Sequence, residues 1–317
     1  MKAIIYQEYG PADVLKLEEV EKPVPKENEV LVKVHAASVN SLDWRRMRAV
    51  PFLVRTDGGW LRPKDTRIGA DIAGVVEAVG GNVTQFKPGD AVFGDVTVGA
   101  FAEYVCAKEK YIAIKPASVS FEAAASTPVA ALTALQGLRD HGKIQAGQKV
   151  LVNGASGGVG TFAVQIAKSF GAEVTGVCRT RNLDMVRSIG AEHVIDYTKE
   201  DFTKNGQRYD LVFDVAANHT VFEYQRVLKP NGTCVVAGFT TMAHLIHVML
   251  LGGRKIISMG SAKVDIKDLA VIGELLESRK IVPVIDKVYP LSKTTEALQH
   301  FEEEHARGKI IISVVEN

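Results

Sequence analysis

The sequence predicts an α/β protein of two domains, an antiparallel, barrel-like β domain and a doubly wound parallel sheet with helices on both faces. Three observations predict it. The chain has 317 residues, more than one hydrophobic core comfortably serves, so two domains of roughly 130 to 180 residues each are expected. The first third reads as short strands set apart by turns, too closely spaced for crossover helices. From Lys149 onward apolar strands alternate with helices, the pattern of a parallel sheet covered on both faces.

In chain order, "KAIIYQ", "EVLVKVHAASV", "IAGVVEAVG", "DAVFGDV" and "GAFAEYVCA" alternate or run apolar between Gly, Pro, Asn or Asp, and are read as strands. From Phe121 the spacing of Ala and Leu in "FEAAASTPVAALTALQGLRDHG" turns helical and ends on glycine. The strand "KVLVNGA", the helix "VGTFAVQIAKSFG", the strand "EVTGVC", the helix "NLDMVRSIG" and the strands "HVIDY" and "YDLVFDVA" follow. A helix ending "RVLKPNG" and the strand "TCVVAGF" complete the alternation. The last part predicts the helix "IKDLAVIGELLESRK", the segment "VIDKVYPL", the helix "KTTEALQHFEEEHARG" and the strand "KIIISVVE". We place the domains at 1–120, 121–263 and 264–317, the last returning to the first.

Composition narrows the function. Hydrophobic residues make 46% and charged residues 24%, ordinary for a soluble globule, and the net charge is +1, so no footprint for nucleic acid or anionic lipid stands out. Cys106, Cys178 and Cys234 form no C-x-x-C pair, which argues against a disulfide framework or a cysteine-built zinc site and for a reducing compartment. The start lacks a signal-peptide pattern, and "MAHLIHVMLL" is too short to span a bilayer. A cytoplasmic protein is expected.

The stretch that carries chemistry is "LVNGASGGVGTFAVQIAKSFGAEVTGVCRT", residues 151–180. Ala155-x-Gly157-x-x-Gly160 is a dinucleotide fingerprint with alanine in the first glycine position, set between strand and helix. A side chain at Gly157 would block approach to a pyrophosphate, Gly160 lets the helix pack on the strand, and the open N–H groups of the helix start face the phosphates. An NAD site would carry Asp or Glu about 20 residues beyond this loop. Here the second strand ends "GVCRTRN". Arg179 and Arg181 accept no hydrogen bonds but clamp phosphate through guanidinium forks, so NADPH is favoured over NADH, with Tyr197 as a third partner.

Other constellations carry less. His244 and His247 lie one helical turn apart without a third ligand, and His300 and His305 diverge on a helix. Tyr104-x-x-x-Lys108 reads as strand rather than as a helical acid pair, and no G-x-S-x-G nucleophile motif is present. No metal site is expected.

The segments "VKVHAASVNSLDWR", "GADIAGVVEAVG", "FKPGDAVFG", "AAASTPVAALTALQGL", "VLVNGASGGVGTFAVQIAK", "SIGAEHVIDY" and "GKIIISV" resemble, in this order, the zinc-independent medium-chain dehydrogenases/reductases, specifically quinone oxidoreductases and enone (alkenal) reductases. The resemblance covers essentially the whole length. It implies a GroES-like β-barrel domain plus a Rossmann domain. Zinc-binding relatives place Cys where Asn40 stands and a His–Glu pair where Ala70 and Asp71 stand, so the resemblance implies no zinc. Carried over residue by residue, it implies cofactor contacts at Ser156, Gly157, Gly158 and Val159 in the loop, at Arg179, Thr180, Arg181 and Asn182 after the second strand, and at Tyr197. Gly238 and Phe239 would flank the nicotinamide half, and Gly308 with Lys309 would close the site. Thr127 and Thr133 lie on the helix that relatives pack near the nicotinamide, and Arg45 replaces a lysine. Asn40 and Ser41 match an "N-P-V-D" region with Ser for Pro.

Without a metal to polarise a carbonyl, conjugate reduction of an enone or a quinone with NADPH is the expected reaction. The oxygen that gains charge needs hydrogen-bond donors, for which Asn40, a backbone N–H or a ribose hydroxyl are nominated, with a proton from water. The stretch from Arg45 to Ile68 is long for a connector and rich in Arg, Phe and Trp, so a lid is expected, with Trp44, Phe52 and Trp60 walling the substrate pocket beside Ser41. The strand "RKIISMGSA" is expected to pair with its copy in a homodimer. The alternative to an enzyme is an NADPH-binding protein of the same fold with little turnover, crystallin-like or regulatory.

Overall fold

The computed structural model describes residues 1–52, 54–238, 242–303 and 306–315, and at 54, 57 and 242–245 the backbone alone. Contacts divide the chain into two units. Met1–Val129, Val264–Ser278 and Ile285–Asn317 form the first; Ala130–Lys263 and Arg279–Val284 form the second.

The first unit holds strands β1 (Lys2–Ile5), β2 (Lys16–Glu19), β3 (Glu29–Ser38), β4 (Asp71–Val79), β5 (Ala91–Asp95), β6 (Tyr104–Lys108) and β7 (Ile112–Ile114). The second holds β8 (Lys149–Asn153), β9 (Glu173–Cys178), β10 (His193–Asp196), β11 (Tyr209–Asp214), β12 (Leu228–Val236) and β13 (Ile256–Ser258). The chain then returns to the first with β14 (Ile285–Pro290) and β15 (Lys309–Ser313).

In the first unit one sheet runs β14-β15-β3-β4-β5-β7, β6 also pairs with β3, and β1 and β2 form a hairpin. β3 is its centre because every second residue is apolar: Val30, Val32 and Val34 are buried into a core with Ile72, Val92, Phe101 and Ile312. Register matters more than length here. Ser38 pairs with Asp71 and with Ile311, and Asp71 pairs with Asp95, so the ends of β3, β4 and β5 and the start of β15 meet.

The second unit is a six-stranded parallel sheet in the order β10-β9-β8-β11-β12-β13, which reverses direction between β8 and β11. That is the doubly wound order with its ligand crevice at the reversal. Three details differ from the expectation. Phe121–Ala125 packs on β3 and β4, so the first unit extends to Val129 rather than ending at 120. The helix before β12 stops at Val227, and "LKPNG" belongs to the strand, because Pro230 has no N–H to continue a helix. The stretch expected as a lid is partly helical: it takes the last turn of the helix Ser41–Arg48 and the short helix Val54–Gly58.

Candidate functional site

In the second unit β8 feeds the glycine loop into the helix Gly158–Ser169. Gly154 sits at φ +84°, a left-handed conformation that favours glycine, and its N–H and that of Ala155 both donate to Val177 O, tying the loop to the end of β9. A Cβ at Gly160 would lie 2.0 Å from Gly154 O, so only glycine lets the helix approach the strand. A Cβ at Gly157 would meet just Gly154 O, at 3.6 Å, so the protein itself does not exclude a side chain there.

Around that loop the structure gathers Ser156, Gly158, Val159, Arg179, Thr180, Arg181, Asn182 and Tyr197. Asn182 Nδ2 donates to Ser156 Oγ at 3.0 Å, and its buried Oδ1 has no partner among the described residues. Arg179 Nε donates to Tyr197 OH at 3.0 Å on the exposed rim, where Arg181 is exposed too. The nearby carboxylate, Asp196, is already engaged. It accepts from Thr180 Oγ1 at 2.5 Å and from Thr198 N and Oγ1 at 3.0 and 2.7 Å. Among the described residues the rim at the end of β9 therefore presents arginines and a carboxylate already engaged, which suits a phosphate better than a ribose hydroxyl. These residues fit a nicotinamide dinucleotide: a Cβ-free cradle, a helix start and an orphaned buried acceptor lie together.

Sequence reading missed a polar knot at the sheet reversal. Asn153 and Asp214 end the adjacent strands β8 and β11 in register. Asn153 Nδ2 donates to Asp214 Oδ2 at 3.0 Å and to Asn218 Oδ1 at 3.1 Å, and Tyr224 OH donates to Asp214 at 2.7 Å. Burial and the Asp214 carboxylate push the Tyr224 phenol far above its usual range. Asp and Asn after apolar strands are common turn residues, so no signal separated them. Gly238 follows β12 at φ +107°, and Phe239 lies outside the described residues. Thr133 is half-buried in the helix Pro128–Gln136.

In the first unit the meeting strand ends carry a buried charge cluster. Asp71 is fully buried; its Oδ2 accepts from Ser38 Oγ at 2.8 Å and Asn40 Nδ2 at 2.9 Å, and its Oδ1 from Val129 N at 3.0 Å. Lys309, 3% exposed, donates to Asn40 Oδ1 at 2.5 Å and faces Asp71 Oδ2 at 3.5 Å. Burial lowers the Lys309 ammonium, against the pull of Asp71 and Asp43. Asn40 thus has its amide committed: one N–H goes to Asp71, the other to Ser38 O at 3.4 Å, and Oδ1 accepts from Lys309. The sequence nominated Asn40 as a donor to substrate; in the structure it instead holds Lys309.

Asn40 opens the helix Ser41–Arg48, and its N–H donates to Asp43 Oδ2 at 2.8 Å. Asp43 is fully buried with Oδ1 unpartnered among the described residues; burial pushes its carboxyl up to about 7. Burial, then Asp71, pushes Asp95 up to about 6. A carboxyl raised above its unfolded value of about 4 stays protonated in the native chain, which then binds more protons than the unfolded chain. Stability is therefore expected to fall as pH rises from about 4 to 7. Asp43→Asn, which keeps an acceptor for Asn40, should lose less stability between pH 5 and pH 8 in urea titrations; equal losses would contradict this.

The remaining expectations separate. Arg45 is half-buried in the helix Ser41–Arg48, and burial lowers its guanidinium. Thr127 is buried and donates to Ala124 O at 2.8 Å, and Gly308 is buried next to Lys309. Ser41 is exposed, whereas Trp44 packs against the core with its indole N–H buried and unpartnered among the described residues. Phe52 and Trp60 meet edge-on at 5.4 Å but are 57% and 61% exposed. A cleft of about 360 Å³ nearby is lined by Tyr6, Tyr9, Leu42, Arg46, Lys64 and Asp65 among others, and neither aromatic is in its wall. His300 pairs with Tyr289 OH at 2.8 Å and Asp286 at 3.2 Å, a structural role. The side chain of His244 and all of His305 lie outside the described residues.

Comparison with known proteins follows the same two parts. The alcohol dehydrogenase GroES-like domain family matches residues 26–117 and the zinc-binding dehydrogenase family residues 189–312. The chain is 37% identical to the tomato (Solanum lycopersicum) 2-methylene-furan-3-one reductase, over 98% of this chain and 79% of that one. It is 36% identical to the chloroplastic NADPH-dependent alkenal/one oxidoreductase of Arabidopsis thaliana over the same shares. A chloroplastic quinone-oxidoreductase homolog of Spinacia oleracea is 36% identical over 98% of both chains. Among solved structures, the quinone oxidoreductase of Coxiella burnetii superposes with a TM-score of 0.90 at 32% identity, covering 99% of each chain.

Proposed function

The chain belongs to the zinc-binding dehydrogenase family, in its quinone oxidoreductase and alkenal reductase branch, and from that membership we propose an NADPH-dependent reductase of quinones and α,β-unsaturated carbonyls. The observation that carries the cofactor choice is the end of β9, where Arg179 and Arg181 stand and the neighbouring Asp196 is turned to Thr180 and Thr198. When bound, the reduced nicotinamide supplies a hydride to the substrate. The protein binds the pyrophosphate through the loop Ser156–Val159, takes the 2′-phosphate on Arg179, Arg181 and Tyr197, and provides for charge on the substrate oxygen.

We propose that the reaction runs without zinc. The Asn40 and Asp71 oxygens face an ammonium, at 2.5 and 3.5 Å, and a divalent cation placed on them would be repelled by it. Among the described residues no three His, Cys, Asp or Glu side chains cluster as a metal would need.

The test is NADPH consumption with a short enone and with a quinone, product by mass. Loss of absorbance with either and saturated ketone from the enone are expected. Tight NADPH binding with no turnover on any enone or quinone would favour the binding-protein alternative instead.

A homodimer is proposed on the same footing. β13 is the edge of the six-stranded sheet, and Met249, Leu250 and Leu251 on the helix Met242–Leu251 are 69%, 76% and 50% exposed. Mass photometry is expected to give twice the 34.3 kDa chain mass, and a monomer alone would remove the inference. No described helix is long and apolar enough to cross a membrane, and the unpaired cysteines suit a reducing compartment, which we propose to be the cytoplasm.

A further inference from the structure

Lysine is almost never fully buried unless it is paired. Lys309 is 3% exposed at the start of β15, where a leucine or methionine would fill the same space without a desolvation cost. Two buried carboxyl groups, Asp71 and Asp95, pair at adjacent strand ends, and a third, Asp43, lies in the first turn of the helix Ser41–Arg48.

Counting donors shows what the cation has left to give. Ser38 has one O–H, directed at Asp71 Oδ2 at 2.8 Å. Asn40 has two amide N–H groups, directed at Asp71 Oδ2 and Ser38 O at 2.9 and 3.4 Å. Lys309 has three N–H groups. Two have acceptors, Asn40 Oδ1 at 2.5 Å and Asp71 Oδ2 at 3.5 Å. Within this cluster the donor without an acceptor among the described residues belongs to Lys309.

We propose that Lys309 is a catalytic residue, whose third N–H donates to the substrate's carbonyl oxygen as that oxygen becomes an enolate or hydroquinone anion. This deepens, and rests on, the reductase reading. As the β-carbon of the enone gains a hydride from the nicotinamide, the C=C pair shifts to form the C=C–O⁻ of an enolate. Lys309 holds that oxygen through a charge-assisted hydrogen bond without giving up its proton. The α-carbon then takes a proton from water, the carbonyl re-forms, and the lysine is unchanged. Asn40 and Asp71 are positioning residues. They fix the ammonium so that it need not reorient during the reaction, and Asp71 keeps it charged despite its burial.

The first readout needs no turnover. p-Nitrophenolate carries its charge on an oxygen conjugated to carbon, as an enolate does, and its yellow absorbance reports ionisation. It is expected to bind the wild-type protein with the phenol's apparent pKa lowered, and Lys309→Met should weaken binding about tenfold or more, the loss expected of one charged hydrogen bond. No binding to wild type, or equal binding to both proteins, overturns the proposal, whether or not an enone is ever reduced. Turnover is the second readout. Lys309→Met should lower kcat on 3-penten-2-one about 100-fold or more, as loss of an oxyanion donor does, with NADPH affinity by fluorescence titration within about threefold.

Because the single variant leaves Asp71 unpaired, the double variant Lys309→Met with Asp71→Asn removes both charges at nearly constant shape. Its thermal stability is expected to recover while kcat stays low. Recovery of kcat along with stability would make Lys309 structural and overturn the proposal. Trp44 carries a further buried, unpartnered N–H. Trp44→Phe is the competing variant: loss of phenolate binding there, with retention in the lysine variant, would overturn the proposal. Failure of the wild type to reduce any enone or quinone, with phenolate binding still dependent on Lys309, would count against the reductase reading alone.

Discussion

Gly157→Val is expected to abolish nicotinamide binding and leave the protein folded, whereas Gly160→Ala, three residues on, should damage the fold. The two glycines belong to one motif but face different neighbours. At Gly157 the backbone is extended, φ −85° and ψ 177°, which any L-residue adopts, and a Cβ meets nothing closer than 3.6 Å. A valine there projects into the ligand side of the loop, over the helix start that would face the pyrophosphate. More than about a 100-fold loss of NADPH affinity is expected, equivalent to about 3 kcal/mol. At Gly160 a Cβ lies 2.0 Å from Gly154 O and 2.8 Å from Gly154 C, so the helix Gly158–Ser169 must move off β8. Overpacking of this kind costs about 1–3 kcal/mol, and more where backbone must shift. Urea titration and fluorescence binding on both variants check the pair. Equal effects on stability, or full NADPH binding by Gly157→Val, would contradict the ligand-side assignment.

Asp71→Ala is expected to be the most destabilising single change in the first unit. Four donors converge on this carboxylate, from Ser38, Asn40, Val129 and Lys309, all within 3.5 Å. Alanine leaves a buried ammonium without its counter-charge, and breaking a buried pair from one side costs about 3–5 kcal/mol. Asp71→Asn keeps acceptor oxygen for part of the network and should cost less. The loss should exceed that of Lys22→Ala by several-fold, since the Lys22–Glu77 pair lies at the surface with side chains 39% and 38% exposed. Denaturation midpoints for the three variants decide this, and a small loss for Asp71→Ala would mean that the cluster is not held by its charges.

Much of the fold was legible because its periodicities are strong. The alternation of β3 and the apolar strands of the second sheet each point to one arrangement, and the glycine loop sits where its motif requires. Helix ends were less legible. "RVLKPNG" has good helix formers before Pro230, but Leu228 pairs with Tyr209 of β11 and residues 233–236 pair further along it, which draws the segment into β12. The glycine loop was legible for a physical reason: its contacts are local, made by a loop, a helix start and one strand end. The charge cluster was not, because it joins residues 38, 40, 71 and 309 through sheet register. The resemblance singled out Lys309 as closing the cofactor site and Asp71 as standing at a zinc-ligand position, but nothing in the sequence joins the two to each other. Asn40 was singled out as a donor to substrate, but nothing in "SVNSLDW" shows that its amide is engaged by Ser38, Asp71 and Lys309. The aromatics Phe52 and Trp60 were expected in a pocket wall on composition alone, and the structure leaves both largely in solvent.

The most direct test is a pair of titrations, NADPH and NADH against the wild-type protein and against Arg179→Ala with Arg181→Ala, followed by fluorescence at fixed ionic strength. The wild type is expected to bind NADPH at least about tenfold more tightly than NADH, the lower range for one charge-assisted contact. In the double variant that preference should vanish through loss of NADPH affinity, with NADH affinity little changed. Equal affinity of the wild type for both nucleotides, or a preference that survives removal of both guanidinium groups, would contradict the account.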